Sequence, residues 1–283
     1  MENVTPEYKM QSEHLSQFRE HLIKEEKSTV TIEKYLRDAR TFATFAQNRP
    51  LTKELTLAYK NYLILHGYAI RSINSMLAGL NSLLDFLGRG DCKVKNLRFQ
   101  RQTYCTEEKE LTKSEYLRLL DAAKKQPRLN LTLQTICSTG IRVSELRYFT
   151  VEAVRHGEVT VRCKNKTRTI LVPAVLQKRL LNYANKTGLT SGVIFVTRSG
   201  NPIDRSNIWA QMKRLCTKAG VKASKVFPHN LRKLFARTFY GLEKDIAKLA
   251  DILGHGSIDT TRIYIMTTGA EHRRKIERLG LVI

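Results

Sequence analysis

The chain is poor in cysteine, has no long apolar run, and is short of acidic residues. Each shortage removes a class of protein. Of 283 residues only five are cysteine (Cys92, Cys105, Cys137, Cys163 and Cys216), an odd, scattered set with no CxxC pair. That pattern excludes a disulfide framework and a zinc ribbon and suits a reducing cytosol. No stretch of ~18 uncharged apolar residues occurs, so no membrane span is expected. Residues 1–10 lack a basic start followed by an apolar core, so no secretory signal is expected. There is no HExxH, no carboxylate cluster, no EF-hand loop, no Walker A stretch and no GxSxG elbow, and the seven histidines lie far apart. Metal chemistry, nucleotide hydrolysis and the commonest serine hydrolase chemistry are therefore not expected, and neither metal nor cofactor is assigned.

Acid is scarce where base is plentiful: 26 Asp+Glu stand against 49 Lys+Arg, a net charge of +23. The excess is uneven. Residues 1–90 carry 12 basic and 10 acidic side chains, while residues 91–283 carry 37 and 16. So concentrated a positive charge points to a polyanionic partner, nucleic acid first, because each neutralised phosphate releases condensed counterions. A membrane-surface role would need one strongly basic amphipathic helix, and none is found. A hydrophobic share of 42% is ordinary for a globular chain, and the length suggests two domains, each able to bury a core.

The first ninety residues read as four amphipathic helices. Leu15, Phe18, Leu22 and Ile23 share a face, as do Ile32, Leu36, Ala39 and Phe42 behind the capping candidates Ser28 and Thr29. Thr52 opens a third helix that stops before Gly67, and a Leu-rich fourth runs from Ile70 to Leu87 before Gly88. The stretch 91–110 then reads as an extended basic linker, in which Lys93, Lys95, Arg98 and Arg101 are either DNA contacts or a plain solvated connector. Thr112-x-x-Glu115 is a capping box that begins a second, mostly helical domain. Within it, Glu158–Cys163 and Arg168–Val172 flank a polar turn and read as a hairpin. Helices follow at Pro173–Asn185, Asp204–Ala219, Asn230–Tyr240 and Lys244–Leu253, with a last piece near Glu271–Leu279.

Four short motifs could carry chemistry. In TGIRVSEL, Gly140 permits a tight turn that would place Arg142 in the first turn of the next helix, suited either to a phosphate or to pairing with Glu145. In HNLR, His229 and Arg232 are three residues apart and share a helix face. LGH ends at His255, and nine residues later comes Tyr264, a nucleophile or simply a packed aromatic. The hairpin turn CKNKTR offers Lys164 and Lys166, or only a solvated basic turn.

Together, in this order and near these spacings, the motifs resemble the tyrosine recombinases, the phage-integrase and Xer-type family, and the likeness runs over essentially the whole chain. The stretch Ser28–Phe42 is similar to the family's N-terminal signature as well. The resemblance implies a mainly α fold with a small β-sheet (α+β). A helical core-binding domain would span residues 11–90 and a catalytic domain residues 111–283, the last helix packing on a neighbouring protomer. It implies that Arg142 and Arg232 hold the scissile phosphate and that Tyr264 forms a 3′-phosphotyrosyl link. His229 would assist proton removal, His255 would hydrogen-bond the phosphate, and Lys164, with Lys166 as rival, would protonate the leaving 5′-oxygen. Glu145 would orient the site from behind. Two positions depart from the family pattern: Lys233 stands where HxLRH usually ends in His, and Asn165 where a glycine commonly follows the hairpin lysine.

The expected function is site-specific exchange of double-stranded DNA by a homotetramer through a Holliday junction, in the cytoplasm at the nucleoid. A free phenol titrates near pH ~10, so a tyrosine nucleophile needs surrounding cations, and a phosphotyrosine conserves bond energy without a nucleotide. A type IB topoisomerase-like enzyme and a non-catalytic DNA-binding protein are the alternatives.

Overall fold

The computed structural model describes residues 12–98, 107–163 and 166–281. Two compact units meet in sequence between Arg101 and Gln102. In the first, helices α1 (Ser12–Lys24), α2 (Thr29–Ala46), α3 (Lys53–Leu65) and α4 (Ile70–Phe86) form a bundle. Local chemistry sets their ends. Ser28 and Thr52 accept hydrogen bonds from the amides of Thr31 (3.3 Å) and Leu55 (3.2 Å), and Gly67 and Gly88 take up left-handed backbone just past α3 and α4. Phe42, Tyr59, Leu63, Leu77 and Leu80 fill the core, each worth roughly 1.5–3 kcal/mol when fully buried.

This unit continues beyond α4. Cys92 and Val94 are buried in its core, and the extended backbone from 92 to 97 is pinned by side chains. Asn81 exchanges two hydrogen bonds with the peptide of Val94 (2.9 and 3.0 Å), and Asn74 does the same with Leu97 (2.9 and 2.8 Å). From the other side, Thr56 donates to Cys92 O (2.7 Å), Lys60 to Lys95 O (2.6 Å) and Lys53 to Lys93 O. Lys93 pairs with Asp85, while Lys95 and Arg98 are exposed. Arg101 lies outside the described residues.

The second unit contains α5 (Lys113–Ala122), α6 (Pro127–Thr139), a 3-10 turn (Val143–Tyr148) and α7 (Val151–Arg155). After these come strands β1 (Glu158–Cys163) and β2 (Lys166–Leu171), then α8 (Ala174–Lys186) and α9 (Arg205–Ala219). Four further helices follow: α10 (Pro228–Glu243), α11 (Ile246–Leu253), α12 (Ile258–Ile265) and α13 (Gly269–Glu277). Thr112 and Glu115 complete the capping box at α5. The antiparallel hairpin runs from Glu158↔Leu171 to Cys163↔Lys166, so β2 begins two residues earlier than the sequence pattern suggests and the connection is only Lys164 and Asn165. Tyr264 sits on a helix that the periodicity did not reveal, α12, which Ser257 caps. A small apolar cluster of Ala236, Leu249, Leu253 and Tyr264, backed by Phe235 and Phe239, binds α10, α11 and α12 together. No helix among the described residues is long and apolar enough to cross a membrane.

Candidate active site

Arg232 is the centre of the site. Pro228 starts α10, whose first turn carries His229, and Arg232 follows one turn later on the same face. Arg232 is 1% exposed, yet no carboxylate among the described residues pairs with it. Its Nη1 donates to Gly140 O at 2.5 Å and its Nη2 to Leu253 O at 2.6 Å, with His255 Nε2 at 3.0 Å. Gly140 is the C-cap of α6, and Leu253 is the last residue of α11. Helix C-termini present carbonyls without intrahelical donors and carry partial negative charge, so both suit a buried guanidinium. Burial, followed by the nearby Arg142 charge, lowers the Arg232 pKa to about 10, which leaves it cationic at neutral pH.

Both carbonyl ends depend on a glycine. Gly140 (φ +65°) and Gly254 (φ +63°) occupy the left-handed region. A Cβ at Gly140 would come within 2.3 Å of the Phe235 ring, and one at Gly254 within 2.7 Å of Arg168 Nη1.

Arg142 was expected in the first turn of a helix. Instead it has extended backbone (φ −76°, ψ 149°) and caps the 3-10 turn, because Gly140 ends α6 in a tight left-handed turn. Its Nη2 donates to Gly254 O and its Nη1 to Glu145 Oε1, both at 3.2 Å, while its backbone N–H donates to Glu145 Oε2 at 2.7 Å. About a third of the side chain (34%) stays open to solvent, so it can still take an anion.

Tyr264 is buried among these groups. Its hydroxyl lies 3.5 Å from His229 Nδ1, and its ring packs 4.9 Å from the His229 ring and 4.8 Å from the His255 ring. The Arg232 guanidinium carbon is 5.8 Å from the Tyr264 ring centre. His229 keeps a solvent-facing side. Even so, desolvation of its inner edge, with the charges of Lys233, Arg232 and Arg205, pushes its pKa down to about 4. Burial and the flanking guanidiniums of Arg232 and Arg142 push His255 down to about 4 as well. Since Arg232 can only donate, His255 Nε2 accepts from it and Nδ1–H donates to Thr261 Oγ1 at 2.9 Å. The site thus sets a phenol beside a neutral imidazole and two guanidiniums, a combination suited to attack on a phosphodiester.

Arg142, His229, Arg232, His255 and Tyr264 therefore converge. Lys164 lies outside the described residues. Lys233, at the departing motif position, pairs instead with the buried Glu110 at 3.0 Å, and Arg237 lies 3.6 Å from the same carboxylate. The sequence reading passed over Arg168, which holds both oxygens of Glu145 at 2.9 and 2.8 Å. Its signal was present: Arg168, Ile170 and Val172 alternate, so an arginine falls in register with the buried Val161 on the inward face of the hairpin.

The phage integrase family matches residues 109–271, and the phage integrase N-terminal SAM-like domain matches residues 15–90. Tyrosine recombinase XerA of Pyrococcus furiosus is 31% identical over 281 residues, covering 96% of each chain. A crystal structure of XerA recombinase superimposes with a TM-score of 0.54 at 26% identity, over 96% of this chain and 99% of the other. A lambda integrase tetramer bound to a Holliday junction is similar with a TM-score of 0.72 at 18% identity, over 92% of this chain and 78% of that one.

Proposed function

This chain belongs to the phage integrase family of tyrosine recombinases, and we propose that it cuts and rejoins double-stranded DNA at specific sites through Tyr264. The observation that carries the assignment of the nucleophile is the Tyr264 hydroxyl, 3.5 Å from His229 Nδ1 and beside the Arg232 guanidinium. Arg142 and Arg232 bind the non-bridging oxygens of the scissile phosphate and stabilise the charge that gathers there. Neutral His229 accepts the phenolic proton at Nδ1 as the tyrosine oxygen bonds to phosphorus. The bond to the 5′-oxygen breaks, and the hairpin lysine, Lys164 before Lys166, protonates the leaving oxygen. A 5′-hydroxyl from the other duplex then attacks the 3′-phosphotyrosine and returns the proton to Tyr264. His255 supports the phosphate; an incoming anion favours a proton on Nε2, which serves as an acceptor in the free chain.

Two strand exchanges in sequence pass through a Holliday junction, carried by a homotetramer in the cytoplasm at the nucleoid. The apolar Ile276, Leu279 and Leu281, exposed at the end of the chain, would meet a neighbouring protomer there. Lys95 and Arg98, and Arg101 beyond them, serve as phosphate contacts, positioning DNA without reading its sequence.

The test is a suicide substrate nicked beside the cleavage point, analysed on a denaturing gel. The wild-type chain forms a covalent DNA adduct and Tyr264→Phe forms none; an adduct on Tyr264→Phe would refute the nucleophile. Relaxation of a plasmid lacking any recombination site would point to a topoisomerase, and salt-dependent binding without an adduct to a non-catalytic binder.

A further inference from the structure

Resting on that reading of the site, we propose that Arg168 is a positioning residue for cleavage, which neutralises Glu145 so that the charge of Arg142 remains available to the phosphate. Glu145 is 2% exposed, and two guanidiniums share its carboxylate. The shares are unequal. Arg142 makes one side-chain bond to it at 3.2 Å, whereas Arg168 makes two, at 2.8 and 2.9 Å, in the forked geometry that binds carboxylates most strongly. Two cations and one anion leave a net positive charge on the Arg142 side. Without Arg168 the buried carboxylate would be balanced by Arg142 alone, and the phosphate would meet a neutral pair.

The geometry adds a second role. Arg168 reaches from β2 to the 3-10 turn and lies against Gly254, where a Cβ would stand 2.7 Å from its Nη1 and 2.9 Å from its Cδ. Arg142 Nη2 holds the carbonyl of the same glycine. One side chain therefore fixes the spacing of three stretches distant in sequence: the strand after Lys164, the turn of Arg142 and Glu145, and the loop that carries His255. Such spacing matters because a misplacement of about 1 Å at a reacting centre costs on the order of 100-fold in rate.

The experiment is single-turnover cleavage of the nicked suicide substrate at saturating DNA, with DNA affinity measured alongside. Arg168→Met is expected to slow cleavage at least 100-fold while DNA affinity changes less than threefold. Arg168→Lys, which keeps charge but not the fork, should fall about 10-fold. The decisive comparison is Glu145→Gln/Arg168→Met: removing the uncompensated carboxylate should restore at least 10-fold over Arg168→Met, a recovery that a purely packing role does not give. A cleavage rate for Arg168→Met within threefold of wild type overturns the proposal, as does a double variant no faster than Arg168→Met. Should Arg168→Met not fold, the same comparison is made from Arg168→Gln: a recovery of 10-fold or more on adding Glu145→Gln supports the proposal, and no recovery overturns it. If the wild-type chain itself forms no adduct, the reading of the site has failed, not this inference.

Discussion

Replacing Gly140 with alanine tests whether the turn after α6 is built to present a carbonyl to Arg232. The backbone there has φ +65°, a conformation that costs a residue with a β-carbon about 1–2 kcal/mol. The new methyl would lie 2.3 and 2.6 Å from two ring carbons of Phe235 and 3.0 Å from a Leu253 methyl. Relieving that overlap costs about 1–3 kcal/mol more. The sum, ~2–5 kcal/mol, is large against the ~5–15 kcal/mol that holds a domain together. The single tryptophan, Trp209 on α9, reports on the second unit alone, so its fluorescence in a urea titration isolates this loss. The methyl is housed by a shift of the Phe235 ring or of the Gly140 backbone, and a backbone shift lengthens the 2.5 Å bond from Arg232 and should slow cleavage ~10–100-fold. In a Phe235→Ala background the two closest overlaps disappear, leaving the backbone part of the cost and the 3.0 Å contact with Leu253, a coupling of ~1–3 kcal/mol. If Gly140→Ala unfolds within ~0.5 kcal/mol of wild type and cleaves at the native rate, the reasoning fails.

Three further outcomes are expected. His229 and His255 have folded pKa values near 4 against an ordinary 6.5, so the unfolded chain binds more protons between those limits. Their contribution to stability is then complete above about pH 6.5 and fades as pH falls towards 4. After solvent screening it amounts to on the order of 1–2 kcal/mol, and His229→Gln should flatten part of that slope in urea titrations across pH. If Lys164 is the general acid, Lys164→Ala should slow cleavage of ordinary DNA but recover on a substrate with sulfur in place of the leaving 5′-oxygen, because a thiolate leaves unprotonated; recovery by Lys166→Ala instead would move the role to Lys166. Asn74→Ala with Asn81→Ala removes four bonds to the backbone between 94 and 97 and should destabilise the first unit by ~2–4 kcal/mol, read by helix signal, while the Trp209 transition stays in place.

Much of this site could be read from the sequence because its residues come in short motifs whose local chemistry is self-contained. TGIR and LGH each contain the glycine that ends a helix, and HNLR places two side chains on one face. Capping at Ser28, Thr52 and Thr112 was legible for the same reason: the donor and acceptor are three residues apart. What escaped notice depends on partners far along the chain. Helix α12 is only eight residues long, so its periodicity is faint, and it is fixed by packing of Tyr264 against α10 and α11. The strap from 92 to 97 looked like a free basic connector because Asn74 and Asn81, which hold it, read as ordinary polar positions of α4. The first half of β2 was taken for turn because Lys166 and Thr167 are polar, though each has a partner on β1. Lys233 was marked as a departure, but its destination, Glu110, lies 123 residues away.

How Arg232 is held decides what the site can do. A buried guanidinium is usually balanced by a carboxylate, which would cancel the charge a phosphate needs. Here the partners are the carbonyls of Gly140 and Leu253, at the negative ends of α6 and α11, each end equivalent to roughly half a charge spread over several groups. They engage both terminal nitrogens, leave the buried Nε without a partner among the described residues, and offset part of the desolvation of Arg232 without placing a full anion against it. The buried carboxylate of Glu145 is engaged by Arg142 and Arg168, and that of Glu110 by Lys233 and Arg237. Both histidines are kept neutral, so His229 can take a proton from Tyr264 instead of repelling one, and His255 can accept from Arg232. On the proposed reading, positive charge is thus retained on the groups assigned to the phosphate and withheld from the one assigned as base. The two glycines serve the same arrangement: each ends its helix in a left-handed turn, and a Cβ at either would meet Phe235 or Arg168 at under 3 Å.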